Sequence, residues 1–231
     1  MEKFFRNLGV ISEREQEILR KTGIAVVGLG GTGGTAFECL LRVGAEHFVL
    51  FDRDRFELTN FNRQLLATDV ELDKRKVDAA MGRALNINKN AKCELHGEFD
   101  ATKIKKSGIV IDGTDNVKTH VAIATACRKL RLPHVFCSAS FAMGMVSVFT
   151  GQKFEKIFQL PSSQNPRTKT QDQLARYNTC TSVIAPATML GGTLAAAQAI
   201  NYLLKKPFVR APDVLFFDLF SERVAWKERL E

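Results

Sequence analysis

The chain has 231 residues, of which 45% are hydrophobic and 25% are charged, values typical of a protein with a substantial buried core. No apolar run approaches the roughly 20 residues needed to cross a bilayer, and the charged N-terminal segment lacks the apolar stretch of a signal peptide. We therefore expect a cytoplasmic protein without a membrane partner. The net charge of +8 suits a nucleotide or RNA, but the basic residues are spread along the chain, which favours an ordinary solvated surface.

Apolar segments along the first two thirds of the chain predict alternating strands and helices. Ser12 and Glu15 form a capping box at the start of a short helix over 12–22. The following pattern predicts strands over 23–29, 47–52, 93–99, 107–113, 134–139 and 145–150, and helices from the glycines to about 43, over 76–87 and over 117–132. This alternation predicts an α/β fold with a Rossmann-like, doubly wound and mostly parallel sheet.

The last third of the chain differs in composition. Residues 159–181 are polar, contain proline and serine and have little to bury, so we expect a flexible crossover loop there. A long apolar helix over 186–204 and two strands over 213–220 and 223–230 follow, and the strands are expected to pair as a hairpin. Residues 1–231 are thus expected to form one domain, with this helix and these strands as its C-terminal extension.

The cysteines indicate neither disulfides nor zinc. The chain has five, an odd number, and none of them forms a C-x-x-C pair: Cys39, Cys93, Cys127, Cys137 and Cys180. Disulfide frameworks use paired cysteines, and structural zinc sites commonly use C-x-x-C pairs. We therefore expect no structural zinc.

A glycine-rich loop joins the first predicted strand to the next helix. Glycines permit the tight turn and a close approach of the backbone to a phosphate, which the helix N-terminus stabilises. The residues that would do this are Gly28, Gly30, Gly31 and Gly33. Asp52 ends the following strand, where a carboxylate accepts hydrogen bonds from ribose hydroxyls. Together they predict a nucleotide site.

Polar residues further along the chain favour a triphosphate over NAD. A triphosphate carries more charge than a dinucleotide, and Arg63 and Lys76 supply cations for it. Asp115 lies in the segment Asp-Gly-Thr-Asp-Asn after an apolar strand, and its position at the carboxyl end of the sheet places it at the ligand crevice. A carboxylate beside a triphosphate suits Mg²⁺. We therefore expect ATP and Mg²⁺ as cofactors.

These motifs, in this order, resemble the ubiquitin-activating-type (E1-like) adenylyltransferases, the family of the bacterial ThiF, MoeB and HesA proteins. The matching patterns are G-x-G-G-x-G, D-x-D, N-x-N-R-Q, a downstream lysine and D-x-T-D-N, and the likeness covers nearly the whole chain. It implies an enzyme that uses ATP to adenylate the C-terminal glycine of a small ubiquitin-fold protein ending in Gly-Gly, for sulfur transfer or conjugation. The chain resembles a minimal form, because the zinc-binding C-x-x-C pairs are absent and FQLPSSQ replaces the first of them.

The resemblance also implies roles for individual residues. Asp52 would bind ribose, Asp115 would act through Mg²⁺ with Asn116 beside it, and Arg6 would reach into a neighbouring subunit, which implies a homodimer. His120 stands where the family often has arginine, which could weaken one polar contact. The phosphate region would be lined by Asp54, Asn60, Arg63, Gln64 and Lys76.

Cys180 differs from the other cysteines in its position. It follows the polar crossover loop and precedes a helix, whose N-terminus favours the nucleophilic thiolate. We therefore expect a thioester or an acyl disulfide at Cys180. The other four cysteines lie in predicted strands and helices and are expected in the core, and the four histidines have no catalytic spacing and are interpreted as structural.

Other functions remain open on the same fold. A tRNA-modifying adenylating enzyme, similar to a threonylcarbamoyladenosine dehydratase, is compatible with the positive charge and the missing zinc pairs, so tRNA is a second candidate partner. A nucleotide sensor without activity has no need of a triphosphate clamp. An NAD-dependent oxidoreductase lacks an evident proton donor and is the least favoured.

Overall fold

The computed structural model describes residues 2–160 and 182–230. Within these ranges, eight strands form one mixed sheet in the order β3-β2-β1-β4-β5-β6-β7-β8. They are β1 (Gly23–Val27), β2 (His47–Phe51), β3 (Lys92–His96), β4 (Ile109–Asp112), β5 (His134–Ser140), β6 (Met143–Phe149), β7 (Asp213–Asp218) and β8 (Ala225–Arg229).

The helices lie close to the predicted positions. Ser12 and Glu15 form both halves of the predicted capping box. The α-helices are α1 (Glu13–Lys21), α2 (Gly31–Arg42), α3 (Lys76–Ile87), α4 (Val117–Leu130), α5 (Phe154–Ile157) and α6 (Ala185–Leu203), with 3-10 helices at Glu2–Asn7, Leu58–Asn60, Asp69–Glu71 and Lys103–Lys106. No helix in the described ranges is long and apolar enough to span a bilayer.

The sheet has a parallel part and an antiparallel part. Strands β3, β2, β1, β4 and β5 pair in parallel, while β6, β7 and β8 continue the sheet in antiparallel pairs. The strand order reverses direction between β1 and β4, the kind of switch point at which open α/β sheets bind ligands. The predicted fold class, a mostly parallel Rossmann-like sheet with a C-terminal helix and hairpin, is confirmed.

Apolar packing on both faces holds the helices to the sheet. On one face, α2, α3 and α6 bury residues such as Phe37, Val77 and Ala195 against the strands. On the other face, α4 buries Ile123 and Cys127. Helices α2 and α6 approach so closely that a Cβ on Gly192 would collide with the carbonyl of Thr32. This contact fixes the first turn of α2, which follows the glycine loop.

An aromatic cluster fastens the segment after β6. Phe154 of α5 and Phe158 pack with their ring centroids 4.7 Å apart and also contact Phe136 and Phe149. Phe158 begins the FQLPSSQ segment. Among the described residues, no group of three or more His, Cys, Asp or Glu side chains is arranged to hold a metal ion. Apolar packing therefore closes the described part of this region.

The described cysteines lie in the strands and helices that were predicted for them. Cys127 and Cys137 are buried, and burial raises the pKa of each thiol to about 12. Cys39 and Cys93 are half-buried. Cys180 lies outside the described residues.

Candidate nucleotide site at the carboxyl ends of the strands

Three glycines interlock where the loops after β1 and β4 meet. Gly28 has a φ of +86°, a left-handed conformation that favours glycine. A Cβ on Gly28 would lie 2.9 Å from the Gly113 carbonyl oxygen, and one on Gly113 would lie 2.6 Å from the Cα of Gly33. The glycine pattern therefore brings two loop backbones and the start of α2 into direct contact at the switch point.

The N-terminus of α2 is free to receive an anion. Its N-cap is Gly30, no described side chain caps it, and its first turn has no acidic residue. The first amide groups of a helix carry a partial positive charge and lack partners within the helix. A Cβ on Gly31 would lie 2.7 Å from the Cβ of Thr188 in α6, so this turn also accepts only glycine. Such a helix end is suited to phosphate.

Asp52 faces the glycine loop from the end of β2. One carboxylate oxygen accepts a 2.7 Å hydrogen bond from the Leu29 amide, and the other accepts a 2.9 Å bond from the Asp54 amide. Burial raises the pKa of the Asp52 carboxyl, although Lys76 and these two amides oppose the effect. The carboxylate is thus fixed beside the loop, with acceptor capacity left for hydroxyl groups.

A buried lysine, Lys76, pairs with the carboxylate of Asp54, two residues after Asp52. Lys76 begins α3 and is only 5% exposed, and its Nζ lies 3.2 Å from the Asp54 carboxylate. The Lys76 amide also donates to the Asp54 carbonyl at 3.0 Å, and the ammonium lies 5.9 Å from the Phe56 ring centroid. A buried charge is costly unless it is paired. The Lys76 ammonium therefore points to the exposed carboxylate of Asp54 and to the adjoining crevice.

The Asn60–Gln64 turn lies against the start of α2, where a Cβ on Gly31 would lie 3.0 Å from the Arg63 carbonyl oxygen. Asn60 is buried and accepts from the Glu57 amide, while the Arg63 guanidinium donates to the Thr59 carbonyl at 2.6 Å and to Asn62 at 2.8 Å. Arg63 is held in turn through its own carbonyl, which accepts a 2.9 Å bond from Thr188.

Gln64 has an unpaired buried oxygen in this turn. The residue is 7% exposed, and its Oε1 has no hydrogen-bond partner among the described residues. The other end of its amide faces the glycine loop, 3.8 Å from where a Cβ on Gly30 would lie. An unsatisfied buried acceptor costs about 1–3 kcal/mol, so this oxygen marks a place where a donor from a ligand or water is needed.

The loop after β4 provides the remaining predicted residues. Asp115 is exposed at the end of this loop. Asn116 is the N-cap of α4, and its Oδ1 accepts a 3.1 Å bond from the Thr119 amide, so the side chain is already engaged in capping. Asp115 is thus the exposed acidic side chain of this loop, and the roles of Asp115 and Asn116 at a nucleotide stay predictions.

Arg6 lies away from the site of its own chain. Its 3-10 helix is anchored by Asn7, whose amide donates to the Val43 carbonyl at the C-terminal end of α2. Because α2 has 12 residues and rises about 1.5 Å per residue, that end lies about 18 Å from the glycine loop. Of the predicted site residues, the described chain thus brings all but Arg6 to one edge of the sheet; Cys180 is not among those described.

A buried polar cluster beneath the loop was not predicted as part of the site. Asp112 ends β4 and is fully buried, and its carboxylate contacts His120 at 2.9 Å and His134 at 3.2 Å. The two histidines are buried, as a structural interpretation requires. A carboxylate at the end of an apolar strand was the one sequence signal available, because the histidines lie 8 and 22 residues away.

The fold and the glycine-rich switch point define a Rossmann-like α/β protein. The sequence model of the ThiF family matches residues 4–230, and the chain belongs to that family. This confirms the resemblance drawn from the motifs.

Curated relatives agree with the family assignment. The chain is 29% identical over 218 residues to the molybdopterin-synthase adenylyltransferase of Haemophilus influenzae, covering 90% of this chain and 86% of that protein. It is 29% identical over 195 residues to the sulfur carrier protein ThiS adenylyltransferase of Escherichia coli, covering 81% and 74%. It is 30% identical to the adenylyltransferase and sulfurtransferase MOCS3 of Anopheles gambiae, covering 91% of this chain but 48% of that protein. The chain thus spans about half the length of the MOCS3 relatives.

Solved structures share the fold at low sequence identity. The chain matches PaaA with a TM-score of 0.74 at 21% identity, covering 94% of this chain and 66% of that one. It matches the ATP complex of E. coli MccB with a TM-score of 0.76 at 17% identity, covering 94% and 66%. These likenesses support the architecture described above.

Proposed function

We propose that this protein is an ATP-dependent adenylyltransferase that activates the C-terminal carboxylate of a small ubiquitin-fold protein ending in Gly-Gly. One observation supports the proposal above all: the glycine loop, the Asp52 carboxylate fixed beside it and the buried Lys76 lie together at the carboxyl ends of β1 and β2. The relatives from H. influenzae and E. coli described above are both named adenylyltransferases, which supports it.

The residues present fit ATP. The glycines leave room that a Cβ would fill, the first turn of α2 faces the crevice uncapped, and Asp52 is held where it can accept from ribose. The side-chain amide nitrogen of Gln64 faces the loop, where it can donate to phosphate oxygens. Two cations, Lys76 and Arg63, suit a triphosphate better than the pyrophosphate of NAD, which favours adenylation over an oxidoreductase.

The donor set also fits Mg²⁺ that arrives with the nucleotide. Magnesium sites on nucleotides use one or two carboxylates, the phosphates and several waters. Asp115 supplies an exposed carboxylate at the crevice, and no cluster of three or more candidate ligands exists among the described residues. When bound, Mg²⁺ would neutralise phosphate charge.

The chain itself needs to do little covalent chemistry in this reaction. The substrate carboxylate attacks the α-phosphorus, a new oxygen–phosphorus bond forms, and the bond to the β-phosphate breaks to release pyrophosphate. Because the carboxylate is already a nucleophile, no general base is required. We assign Lys76, Arg63 and the α2 amides to stabilising the phosphates, and Asp52 to fixing the ribose so that the attack is aligned.

An exposed apolar corner next to the crevice supports a protein as the acyl donor. We define the apolar corner as Phe141, Met143, Ile184, Phe220 and Val224, with Phe220 84% and Phe141 62% exposed. The Ile184 amide donates to the Phe141 carbonyl, and the neighbouring Val183 carbonyl accepts from Asn62 of the Asn60–Gln64 turn. Exposed apolar groups this close to a reactive site suit a folded protein surface better than a tRNA.

We extend the proposal to a homodimer in which Arg6 completes the neighbouring subunit's site. Its position supports action in trans, because the segment that carries it is anchored at the far end of α2, about 18 Å from the glycine loop of its own chain. Mixing an Arg6→Ala protein with an Asp115→Ala protein would then restore part of the activity that each variant lacks. Mixtures no more active than their components would contradict the shared site.

A covalent role for Cys180 completes the proposed sequence. Its thiolate would attack the acyl-adenylate carbon and displace AMP, which gives a thioester. Cys180→Ser is expected to trap an oxyester or abolish the adduct while pyrophosphate exchange continues. The buried Cys137 is the control. An adduct that persists unchanged in Cys180→Ser would assign it to another residue.

ATP–pyrophosphate exchange tests the proposed function. We expect exchange only when a small carrier protein ending in Gly-Gly is added, and we expect Asp115→Ala to bind nucleotide yet lose exchange. Stimulation by tRNA and by no small protein would favour the RNA-modifying alternative. Micromolar binding of NAD without binding of ATP would contradict adenylation altogether.

A further inference from the structure

Asp112 is a buried carboxylate with four hydrogen-bond donors around it. Its Oδ1 accepts from the Thr114 amide at 3.2 Å and the Thr114 hydroxyl at 2.8 Å, while its Oδ2 accepts from His120 Nδ1 at 2.9 Å and His134 Nε2 at 3.2 Å. Burial alone favours the neutral acid, but the two histidines outweigh it and hold the pKa of Asp112 below its ordinary value. The ionised carboxylate therefore organises the cluster.

The two histidines sit in an aromatic enclosure. The ring centroids of His120 and Phe136 are 5.0 Å apart at 90°, and those of His134 and Phe149 are 5.6 Å apart. The buried Nδ1 of His134 has no hydrogen-bond partner among the described residues, and the ring contacts Asp112 through Nε2. Burial lowers the pKa of His120, but Asp112 outweighs that and raises it overall.

Hydrogen bonds to Asp112 hold both ends of the loop that carries Asp115. Asp112 is the last residue of β4, Thr114 directly precedes Asp115, and His120 comes from the first turn of α4, which follows the loop. Between them, Gly113 is wedged against Gly33. The loop cannot shift without breaking hydrogen bonds to a buried charge, which are among the costliest to lose.

Building on the proposed adenylation, we propose that His120 and His134, acting through Asp112, are positioning residues that set Asp115 where a magnesium–nucleotide complex requires it. Neither histidine touches the substrate. The competing interpretation is that the cluster only fastens β4 to α4 and β5, in which case its loss lowers stability and nothing else.

Matched substitutions separate the two interpretations. His120→Leu removes the donor to Asp112, while His120→Asn keeps an N–H near the position of Nδ1. His134→Leu and His134→Gln form the same pair, because the glutamine amide reaches the position of Nε2. Ile123→Ala is the control for stability, since Ile123 is buried on α4 but contacts a different cluster.

The affinity of the whole chain for ATP is measured by titration calorimetry, once with Mg²⁺ present and once with EDTA. The ratio of the two affinities reports how well Asp115 is placed. We expect His120→Leu and His134→Leu to reduce this ratio about tenfold or more, the size of a lost hydrogen bond to a charged group. His120→Asn and His134→Gln should keep it within about threefold of the wild-type ratio, and Ile123→Ala should leave it unchanged.

Leucine variants that melt at lower temperature but keep the wild-type affinity ratio would overturn the positioning role of the histidines. If the leucine variants fail to fold, Thr114→Val, which removes one hydrogen-bond donor to Asp112, is tested in their place. An unchanged affinity ratio in Thr114→Val would equally overturn the positioning role.

The inference can be judged separately from the proposed function. A wild-type protein that binds magnesium–ATP but shows no exchange with any carrier would contradict adenylation, and the affinity ratios would still decide the role of the histidines. If the protein does not bind nucleotide, the amide hydrogen-exchange rates of residues 113–116 are measured in place of the affinity ratio. Faster exchange in His120→Leu than in Ile123→Ala supports positioning, and equal rates overturn it.

Discussion

The parallel and antiparallel parts of the sheet solve different problems. In the parallel part, glycine contacts and the ion pair between the buried Lys76 and the exposed Asp54 fix a polar crevice at the ends of β1, β2 and β4, with little freedom for any backbone atom. In the antiparallel part, the turns that follow β5 and β7 leave large apolar side chains exposed in the apolar corner. The candidate nucleotide site and the exposed apolar corner can therefore lie side by side on one sheet, because different strands carry them.

The largest effect is expected where the crevice has least room. Gly33→Ala would place a Cβ against the Gly28 carbonyl, backbone that cannot swing aside. We expect the variant to lose about 3 kcal/mol of stability or more, and ATP binding with it. Urea unfolding and calorimetry measure the two losses.

Gly82→Ala is the matched control for this substitution. A Cβ there meets nothing within 4 Å, and the glycine lies inside α3, so alanine should stabilise the protein by about 0.5–1 kcal/mol. If both substitutions change stability equally, the close contact at the switch point is not what holds the site together.

The next largest effect concerns the buried cation. Lys76→Met keeps the apolar stem but removes the charge that faces Asp54 and the crevice. Charged hydrogen bonds contribute about 1.5–3 kcal/mol, so we expect ATP affinity to fall roughly 10- to 150-fold. Lys74→Met, at an exposed lysine paired with Glu71, should change affinity less than twofold or so. Equal affinity in both variants would remove Lys76 from the site.

A smaller and more selective effect is expected in the apolar corner. Phe141→Ser with Phe220→Ser should raise the KM for the carrier about tenfold, a typical loss for exposed aromatic contacts, and leave ATP affinity unchanged. Val70→Ser, at an equally exposed apolar residue on another surface, is the control. A matching change in ATP affinity would show that the two parts of the sheet are not separable.

The smallest effect concerns pH. Because the folded pKa of His120 is raised, its contribution to stability is complete below the unfolded value of about 6.5 and is lost as pH rises through the folded pKa. Asp112, Asp115 and His134 are the ionisable groups that face this ring. The melting temperature of the wild type should therefore decline above about pH 6.5 more than that of His120→Asn. Parallel curves would mean that His120 is not charged in the folded state.

Sequence patterns predicted the parallel part well because its signals are local. The run from Lys76 to Ile87 forms α3 with the predicted limits. The glycines follow β1 as expected, but α2 already begins at Gly31, so the later glycines form its first turn and not a loop before it. The fold class, the final hairpin and the family followed from the same kind of pattern. The roles of the individual site residues, including Asp115, stay predictions.

Contacts between distant residues could not be predicted in the same way. The cluster of Asp112, His120 and His134 forms only when β4, α4 and β5 pack together, and no local pattern marks it. The anchoring of the Arg6 segment at the far end of α2 depends on a hydrogen bond spanning 36 residues, between Asn7 and Val43. The apolar corner likewise joins turns from three parts of the chain.

Transfer of radiolabel from ATP to a carrier protein tests the central claim most directly. With a Cys180→Ala enzyme, which cannot displace AMP through this thiol, and a small carrier ending in Gly-Gly, label from the α-phosphate should appear on the carrier, and label from the γ-phosphate should leave in pyrophosphate. A carrier without its last glycine and the Asp115→Ala enzyme should both remain unlabelled. Transfer of the γ-label to the carrier, or no transfer of either label to any Gly-Gly carrier while ATP is bound, would contradict adenylation.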